Sequence, residues 1–248
     1  MLKKERQAYI IQQINIHNKV LSSDLCVQLD VSEDTVRRDL QELAEEGKLI
    51  KVHGGALAKS FHFTIESQQV YSLPEKKIIA HKAIDLIKDG MLVVISGGTT
   101  MRELVNMLPP DLNATFVTTN VPIALELLEH PNAEVIFLGN KLLKSAQMAV
   151  GAEAVQRLGQ LKADLCLLGT NSIDLQMGIT DLEWEIIEVK RAMIASAQKT
   201  VSLAISEKLN SSQRLQVCPL EQVDILITEL DPSSEKLQPY AKRGITIL

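Results

Sequence analysis

From Glu75 onward the chain repeats one pattern: a short apolar run, a turn of small polar residues, then an amphipathic stretch. EKKIIAHKAIDLIKDG is amphipathic and stops at Gly90, MLVVIS is continuously apolar, and TMRELVNML is helical. ATFVTTN and AEVIFLG read as strands with VPIALELLEH between them, and ADLCLLG is another apolar run. WEIIEVKRAMIASAQ reads as a helix, KTVSLAI as a strand, and VDILITE and GITIL close the chain. A run that is apolar on both faces suits a parallel strand, because crossover helices cover both sides of such a sheet. The expected fold over 75–248 is therefore α/β, an open, mostly parallel, Rossmann-like sheet with helices on both faces.

The first 57 residues follow a different grammar. Lys3 to His17 reads as a helix with Ile10, Ile11 and Ile14 on one face. A short polar break follows, and Ser22 is the expected N-cap of a second helix with Leu25 and Leu29 inward. In VSEDTVRRDLQELAEEGKL, Ser32 is the expected N-cap, and Glu33 and Asp34 suit the positive end of the helix dipole. Val36, Leu40 and Leu43 form an i, i+4, i+7 stripe, and Gly47 ends the helix. Arg37, Arg38 and Gln41 then point away from the stripe. In LIKVHGGAL, Lys51 and His53 alternate with Ile50 and Val52 until Gly54-Gly55 breaks the run, as in the wing of a winged helix. Three short helices with paired arginines on the third describe a helix-turn-helix whose third helix enters a major groove. Residues 1–60 carry nine Lys+Arg and nine Asp+Glu, so an arginine pair here also fits a plain solvated face; its place on the third helix of a capped, winged unit favours the groove. Residues 58–74, with Ser60, Ser67 and Ser72 before Pro74, read as the linker.

Composition limits the alternatives. The 248 residues are 46% hydrophobic and 23% charged, ordinary values for a folded protein, and a formal net charge of -5 leaves nucleic-acid binding to local geometry. Cys26, Cys166 and Cys218 share no C-x-x-C spacing and read as small buried hydrophobes in a reducing compartment. The start, MLKKERQAYIIQQ, has no apolar signal core, and no run approaches a membrane span, so the expectation is a cytoplasmic protein without a membrane partner. His17, His53, His62, His81 and His130 lack metal-ligand spacing, and no nucleophile triad or P-loop lysine pattern is visible; no metal, cofactor or catalytic residue is expected. Trp184 reads as core or interface.

In open α/β sheets ligands bind beyond the carboxyl ends of the strands. Ser96-Gly97-Gly98-Thr99-Thr100 sits at one such end and opens a helix, where free N–H groups, the helix dipole and threonine hydroxyls attract an anion. Thr119-Asn120, Gly139-Asn140-Lys141 and Gly169-Thr170-Asn171 end three more strands. These turns make Ser96, Gly97, Gly98, Thr99, Thr100, Asn120, Lys141 and Asn171 candidate effector-binding residues.

The S-x-x-T-V-R-R-D-L run and the K-V-H-G-G-A ending resemble the DeoR family of bacterial transcriptional regulators. The resemblance implies that Ser32, Thr35, Arg37 and Arg38 face DNA, with Gln41, Lys51 and His53 beside them. It continues through SGGTT, TTNVPIA, LGNKL, GTNSIDLQMGIT and EVKRAMI to a strand ending near Lys208. It implies a sensor domain resembling the sugar-phosphate isomerase fold, with Gly98, Thr99, Thr100, Asn120, Lys190 and Lys208 in the pocket; Lys190, beside Glu188 and Arg191, also fits plain surface. Three positions depart from the family pattern. Ser96 stands where relatives usually carry an acid, Ile186 where they often have glutamate, and Ile205 where they often have aspartate. Loss of those carboxylates weighs against isomerase chemistry. The expected protein is a DeoR-type regulator, a repressor by the family's usual mode, that binds double-stranded operator DNA as a homodimer or homotetramer and senses a phosphorylated sugar or related metabolite. The alternatives are a sugar-phosphate isomerase-like enzyme with an accessory DNA-binding domain, and a regulator whose sensor domain is only structural.

Overall fold

The computed structural model describes residues 1–17, 19–58 and 70–248. The chain divides into two compact units, residues 1–71 and 72–248, each with its own hydrophobic core.

The first unit runs α1 (Lys3–His17), β1 (Lys19–Leu21), α2 (Ser22–Leu29), α3 (Glu33–Glu45), β2 (Ile50–Val52) and β3 (Gly55–Leu57). Its core gathers Ile10, Ile14, Leu25, Leu29, Val36, Leu40, Leu43 and Leu49. β3 lies between β1 and β2 and is antiparallel to both. Three readings of the sequence change here. The polar break after α1 is strand β1: three residues are too few to show periodicity, and the strand exists because β3 offers it an edge. Ser22 is the first residue of α2 rather than its cap, a position held by Leu21 without a side-chain bond. Ile50, Lys51 and Val52 are all half-buried instead of alternating, since the wing is a narrow ribbon packed against one helix. The segment read as linker is also shorter. Ala58 is in the first core, and Leu73 and Pro74 lie in the first turn of α4 (Leu73–Ile84). Ser60, Ser67 and His62 lie outside the described residues.

The second unit continues with β4 (Leu92–Ile95), α5 (Thr99–Asn106), β5 (Thr115–Thr118), α6 (Val121–Leu128), β6 (Glu134–Phe137), β7 (Lys141–Leu143), β8 (Met148–Val150) and α7 (Ala152–Leu158). After these come β9 (Ala163–Gly169), β10 (Ser172–Asp174), β11 (Gly178–Asp181), α8 (Trp184–Ala195), β12 (Ala197–Leu203), a 3-10 turn (Ser206–Lys208), β13 (Leu215–Cys218), β14 (Ile225–Ile227), α9 (Gln238–Ala241) and β15 (Thr246–Ile247). Among the described residues, seven strands form one parallel sheet in the order β15-β14-β12-β9-β4-β5-β6. From β4 the chain winds outward through β5 and β6, then returns to β9 and winds the other way. Right-handed crossovers therefore put α5 and α6 on one face and α8 on the other. The strand order reverses between β4 and β9, and that is where an open α/β sheet leaves a crevice at its carboxyl edge. Two smaller assemblies escaped the sequence reading: the antiparallel β10-β11-β13 sheet and the β7–β8 hairpin. Their strands are short and lie where the repeated βα grammar had suggested loops.

Trp184 is 63% exposed at the start of α8, so it is not a core residue of this chain. Cys166 and Cys218 are buried and Cys26 half-buried; burial pushes the Cys166 thiol up to about 12.

Asp39 is a carboxylate in the apolar stripe of α3, and the Arg6 guanidinium of α1 binds it through Nε and, at 3.2 Å, through Nη2. Its side chain is almost wholly buried. Asp39→Ala is expected to destabilise the first unit by about 3 kcal/mol, because it strands a largely buried guanidinium. Urea unfolding followed by circular dichroism checks this; a loss below about 0.5 kcal/mol would make the pair an ordinary surface contact.

Candidate functional site

In the first unit α3 carries the exposed polar face. Ser32 caps it, its Oγ accepting the Thr35 amide at 3.4 Å and lying 2.9 Å from the Thr35 hydroxyl. Val36, Leu40 and Leu43 turn inward, which leaves Ser32, Arg37, Arg38 and Gln41 exposed and Thr35 half-buried. Arg37 makes a long 3.8 Å ion pair with Asp34. The wing is tied to this helix, because Lys51 Nζ donates to Gln41 Oε1 at 2.9 Å and Gln41 Nε2 donates to Glu45 at 2.8 Å. His53 is exposed at the wing turn. All seven residues singled out in the sequence thus belong to α3, its cap or the wing. What the arrangement offers is a helix with two outward guanidiniums and a cationic hairpin anchored beside it.

In the second unit the loop after β4 opens α5. Gly98 is the N-cap with φ +118, a backbone conformation that L side chains rarely adopt. A Cβ on Gly97 would stand 2.3 Å from Asn120 Nδ2, so only glycine lets this loop meet the end of β5. Gly98 is exposed and Thr99 and Thr100 half-buried, so the first turn of α5 is open to a ligand. Two neighbouring candidates do other work. Ser96 is buried, and its Oγ accepts the Gly169 amide at 2.7 Å, stitching β4 to β9 across the switch point. Asn120 caps α6, accepting from the Ile123 amide at 3.2 Å and donating to the Ala146 carbonyl at 3.2 Å. Both side chains organise the rim of the carboxyl edge. Lys141 is exposed on β7 and pairs with Glu185 at 2.7 Å, so it is a surface residue and not part of this cluster.

The remaining candidates converge. Lys190 of α8 is only 7% exposed and donates to Asp181 Oδ2 at 2.7 Å, which removes the surface reading of this lysine. Asp181, 2% exposed at the end of β11, also accepts from the Leu182 amide at 2.7 Å and from Asn171 Nδ2 at 3.2 Å. Burial pushes this carboxyl up, but the charge of Lys190 and the hydrogen bonds outweigh it and hold Asp181 below its ordinary value. Lys208, on the 3-10 turn after β12, donates to the Thr170 carbonyl at 2.8 Å. Burial, with the ammoniums of Lys76 and Lys190 nearby, brings Lys208 down to about 7, against the opposing pull of Asp181. Lys76 of α4, 6% exposed, is lowered to about 8 by burial although Glu103, Glu75 and Glu207 oppose it. Lys76 and Lys190 are thus charged neighbours of Lys208, and Asp181 is the acid bound to Lys190.

Sequence reasoning missed Lys76 and Asp181. Lys76 had a visible signal: it stands in the α4 stripe with Ile79, Ala80 and Ala83, where an apolar residue belongs. Lys190 shares that signal, standing with Ile186, Ile187, Met193 and Ile194. Asp181 had none, because β11 was not foreseen as a strand. Among the described residues no group of three or more His, Cys, Asp or Glu side chains is gathered as a metal ion would require. No described helix is long and apolar enough to cross a membrane.

Both units match known families. The model of the DeoR-like helix-turn-helix domain matches residues 6–61, and that of the DeoR C-terminal sensor domain matches residues 72–230. The HTH-type transcriptional repressor GlcR of Bacillus subtilis (strain 168) is 31% identical over 254 residues, spanning 100% of this chain and 96% of its own. The HTH-type transcriptional regulator GlpR of Haloferax volcanii is 30% identical over 251 residues, 100% of this chain and 98% of its own. The glycerol-3-phosphate regulon repressor of Escherichia coli (strain K12) is 25% identical over 249 residues, 100% and 99%. Among solved structures, a D-ribose-5-phosphate isomerase shows a partial likeness, with 18% identity, a TM-score of 0.40, and 54% of this chain and 52% of that one covered. The chain belongs to the DeoR family of transcriptional regulators.

Proposed function

We propose that this regulator is a cytoplasmic repressor that holds operator DNA with α3 and the wing. A phosphorylated sugar or polyol, bound at the carboxyl edge of the parallel sheet, would change that grip. The observation that carries this reading is the open first turn of α5 at the carboxyl edge, capped by Gly98, with Lys208 held to the Thr170 carbonyl just past the end of the neighbouring β9. Asp181 offsets Lys190, and Glu75, Glu103 and Glu207 stand near Lys76, so the pull on an anion comes from the open amide end of α5 together with Lys208. The names of two relatives agree with a repressor responding to a small phosphorylated metabolite: GlcR is called a repressor, and the Escherichia coli protein is called a glycerol-3-phosphate regulon repressor. Two-fold operators call for at least a dimer, since one such module buries too little for tight specific binding.

An isomerase would need a carboxylate free to move a proton, and Asp181 is held by three donors. The protein is therefore read as a binder and not as an enzyme. The deciding experiment is a thermal-shift panel of phosphorylated sugars and polyols, each beside its unphosphorylated partner, with an isomerase assay and an operator-binding assay run on the same preparation. Stabilisation by a phosphorylated compound that is not turned over is expected. Turnover without DNA binding overturns the reading.

On the DNA side, Arg37→Ala or Arg38→Ala is expected to weaken specific operator binding by about 1–3 kcal/mol where the arginine reads a base. Affinity should also fall steeply as salt rises, because each neutralised phosphate releases counterions. Fluorescence anisotropy measures both; two silent mutants would remove α3 from the groove.

Lys208 gives the effector site a pH signature. Its folded value near 7 means that it gains a proton as pH falls through neutrality. Sulfate stays doubly charged across that range, so its binding is expected to strengthen on going from about pH 8.5 to about pH 6. The dependence should flatten in Lys208→Met. Without an anion the sign reverses: above pH 7 the unfolded chain binds the proton that folded Lys208 has lost, so folding stability rises with pH from about 7 toward 10.5. Calorimetry with sulfate checks the first expectation and thermal melts the second.

A further inference from the structure

Among the described residues β6 is the last strand of the parallel sheet, hydrogen-bonded to β5 on one side. We propose that β6 and the outer flank of α6 form the surface on which a second copy of this chain docks, the two β6 strands pairing antiparallel across a two-fold axis at Ile136. The proposal rests on the reading of the regulator as at least a dimer and names the surface that joins it.

Four observations support it. First, the backbone edge is open. The Glu134 amide donates to the Ala114 carbonyl at 3.0 Å and the Leu138 amide to the Thr118 carbonyl at 2.9 Å. Alternation along the strand then turns the amides and carbonyls of Val135 and Phe137 away from β5. Second, the strand lacks the devices that keep sheet edges apart. EVIF holds no proline or lysine, pairs with β5 in unbroken register, and exposes Ile136 and Phe137. Third, α6 widens the apolar surface on the same side. Around the helix the buried face of Ile123, Ala124 and Leu127 separates Glu126 from Leu125 and Leu128. Glu126 pairs with Arg102 of α5, so its flank faces the middle of the sheet. Leu125 and Leu128, each more than half exposed, therefore flank the open edge, beside the β6 on which α6 packs. Fourth, the surface is complementary to itself in charge. Glu129 and Glu134 are exposed at the amino end of β6, and Lys141 is exposed past the other end, where it pairs with Glu185 at the surface. An antiparallel copy sets the acidic end of one strand beside the basic end of the other, as a two-fold contact between identical chains requires. Val135 and Phe137 carry the outward groups, so pairing Val135 of each copy with Phe137 of the other places the axis at Ile136. The two Ile136 residues then stand opposite each other as a non-hydrogen-bonded pair, with Cα atoms about 4.5 Å apart.

The test is sedimentation velocity on the full-length chain for the wild type, Ile136→Lys and Leu128→Glu; thermal melts establish that each variant is folded. The wild type is expected to sediment as a dimer or a multiple of one. Ile136→Lys sets two like charges opposite each other at the axis, and Leu128→Glu buries a charge beside it. Each is expected to weaken the assembly by about tenfold or more. An assembly unchanged in either variant overturns the proposal and leaves the dimer standing on another surface. A wild type that stays monomeric at every concentration removes the dimer, and the proposal with it. Cross-linking by oxidised glutathione checks the axis without a disruptive substitution, with the wild type treated alike to discount the native cysteines. Ile136→Cys is expected to link two copies, since its thiols meet across the axis. Glu134→Cys is not, since in this register the two copies of residue 134 lie about 13 Å apart along the strands. Any result other than preferential linking through residue 136 overturns the proposal.

Discussion

Taking an ammonium group out of water is costly unless an anion meets it, and the sensor unit does this with Lys76 and Lys190, while Lys208 is half-buried. Asp181 compensates Lys190. The carboxylates near Lys76 oppose, but do not cancel, the effect of its burial. Lys208 is left with a backbone carbonyl as partner and a value near 7. Lys76 and Lys208 hold less charge than they could, and an arriving anion both gains from them and raises their protonation. Affinity and proton uptake are then one event, as linkage requires.

The fold supplies the place where such a cluster can be assembled. At the switch between β4 and β9 two oppositely winding halves of the sheet part company, and their carboxyl ends open. Ser96 closes the floor of that opening by accepting the Gly169 amide. Asn120 fixes the neighbouring wall by capping α6, and Gly97 is the residue that lets the two walls approach. Small polar residues at strand ends therefore serve as frame, and the charge comes from helices and turns on several sides. Ser96 does its part by accepting a backbone N–H without bringing a charge to the carboxyl edge.

The parallel sheet was legible in the sequence because each strand is apolar on both faces and each helix has one stripe, so the period itself changes along the chain. The recognition helix was legible for a related reason, as α3 has a cap, acids in its first turn, and a clean stripe. Part of what was not legible depends on a partner distant in sequence, and part lies in hairpins too short to show a period. β1 exists through β3 and the β11–β13 pairing joins residues more than thirty apart, whereas β7–β8 and β10–β11 are local hairpins of three or four residues a strand. Asn120 and Ser96 looked like ligands because their residue types are shared by caps and by binding sites. Only three-dimensional partners tell these apart.

A charged residue inside an apolar helical stripe proved the most informative sequence signal of all. Asp39 in α3, Lys76 in α4 and Lys190 in α8 each break a stripe. Asp39 meets Arg6 and Lys190 meets Asp181, so two of the three are neutralised within the chain. Such pairs fix how one element docks on another, because a displaced partner would strand a buried charge. Lys76 stands near carboxylates on three elements and near a second lysine, Lys208. A stripe-breaking charge with one opposite partner is architecture, whereas one set between like and unlike charges is sensitive to whatever ion enters.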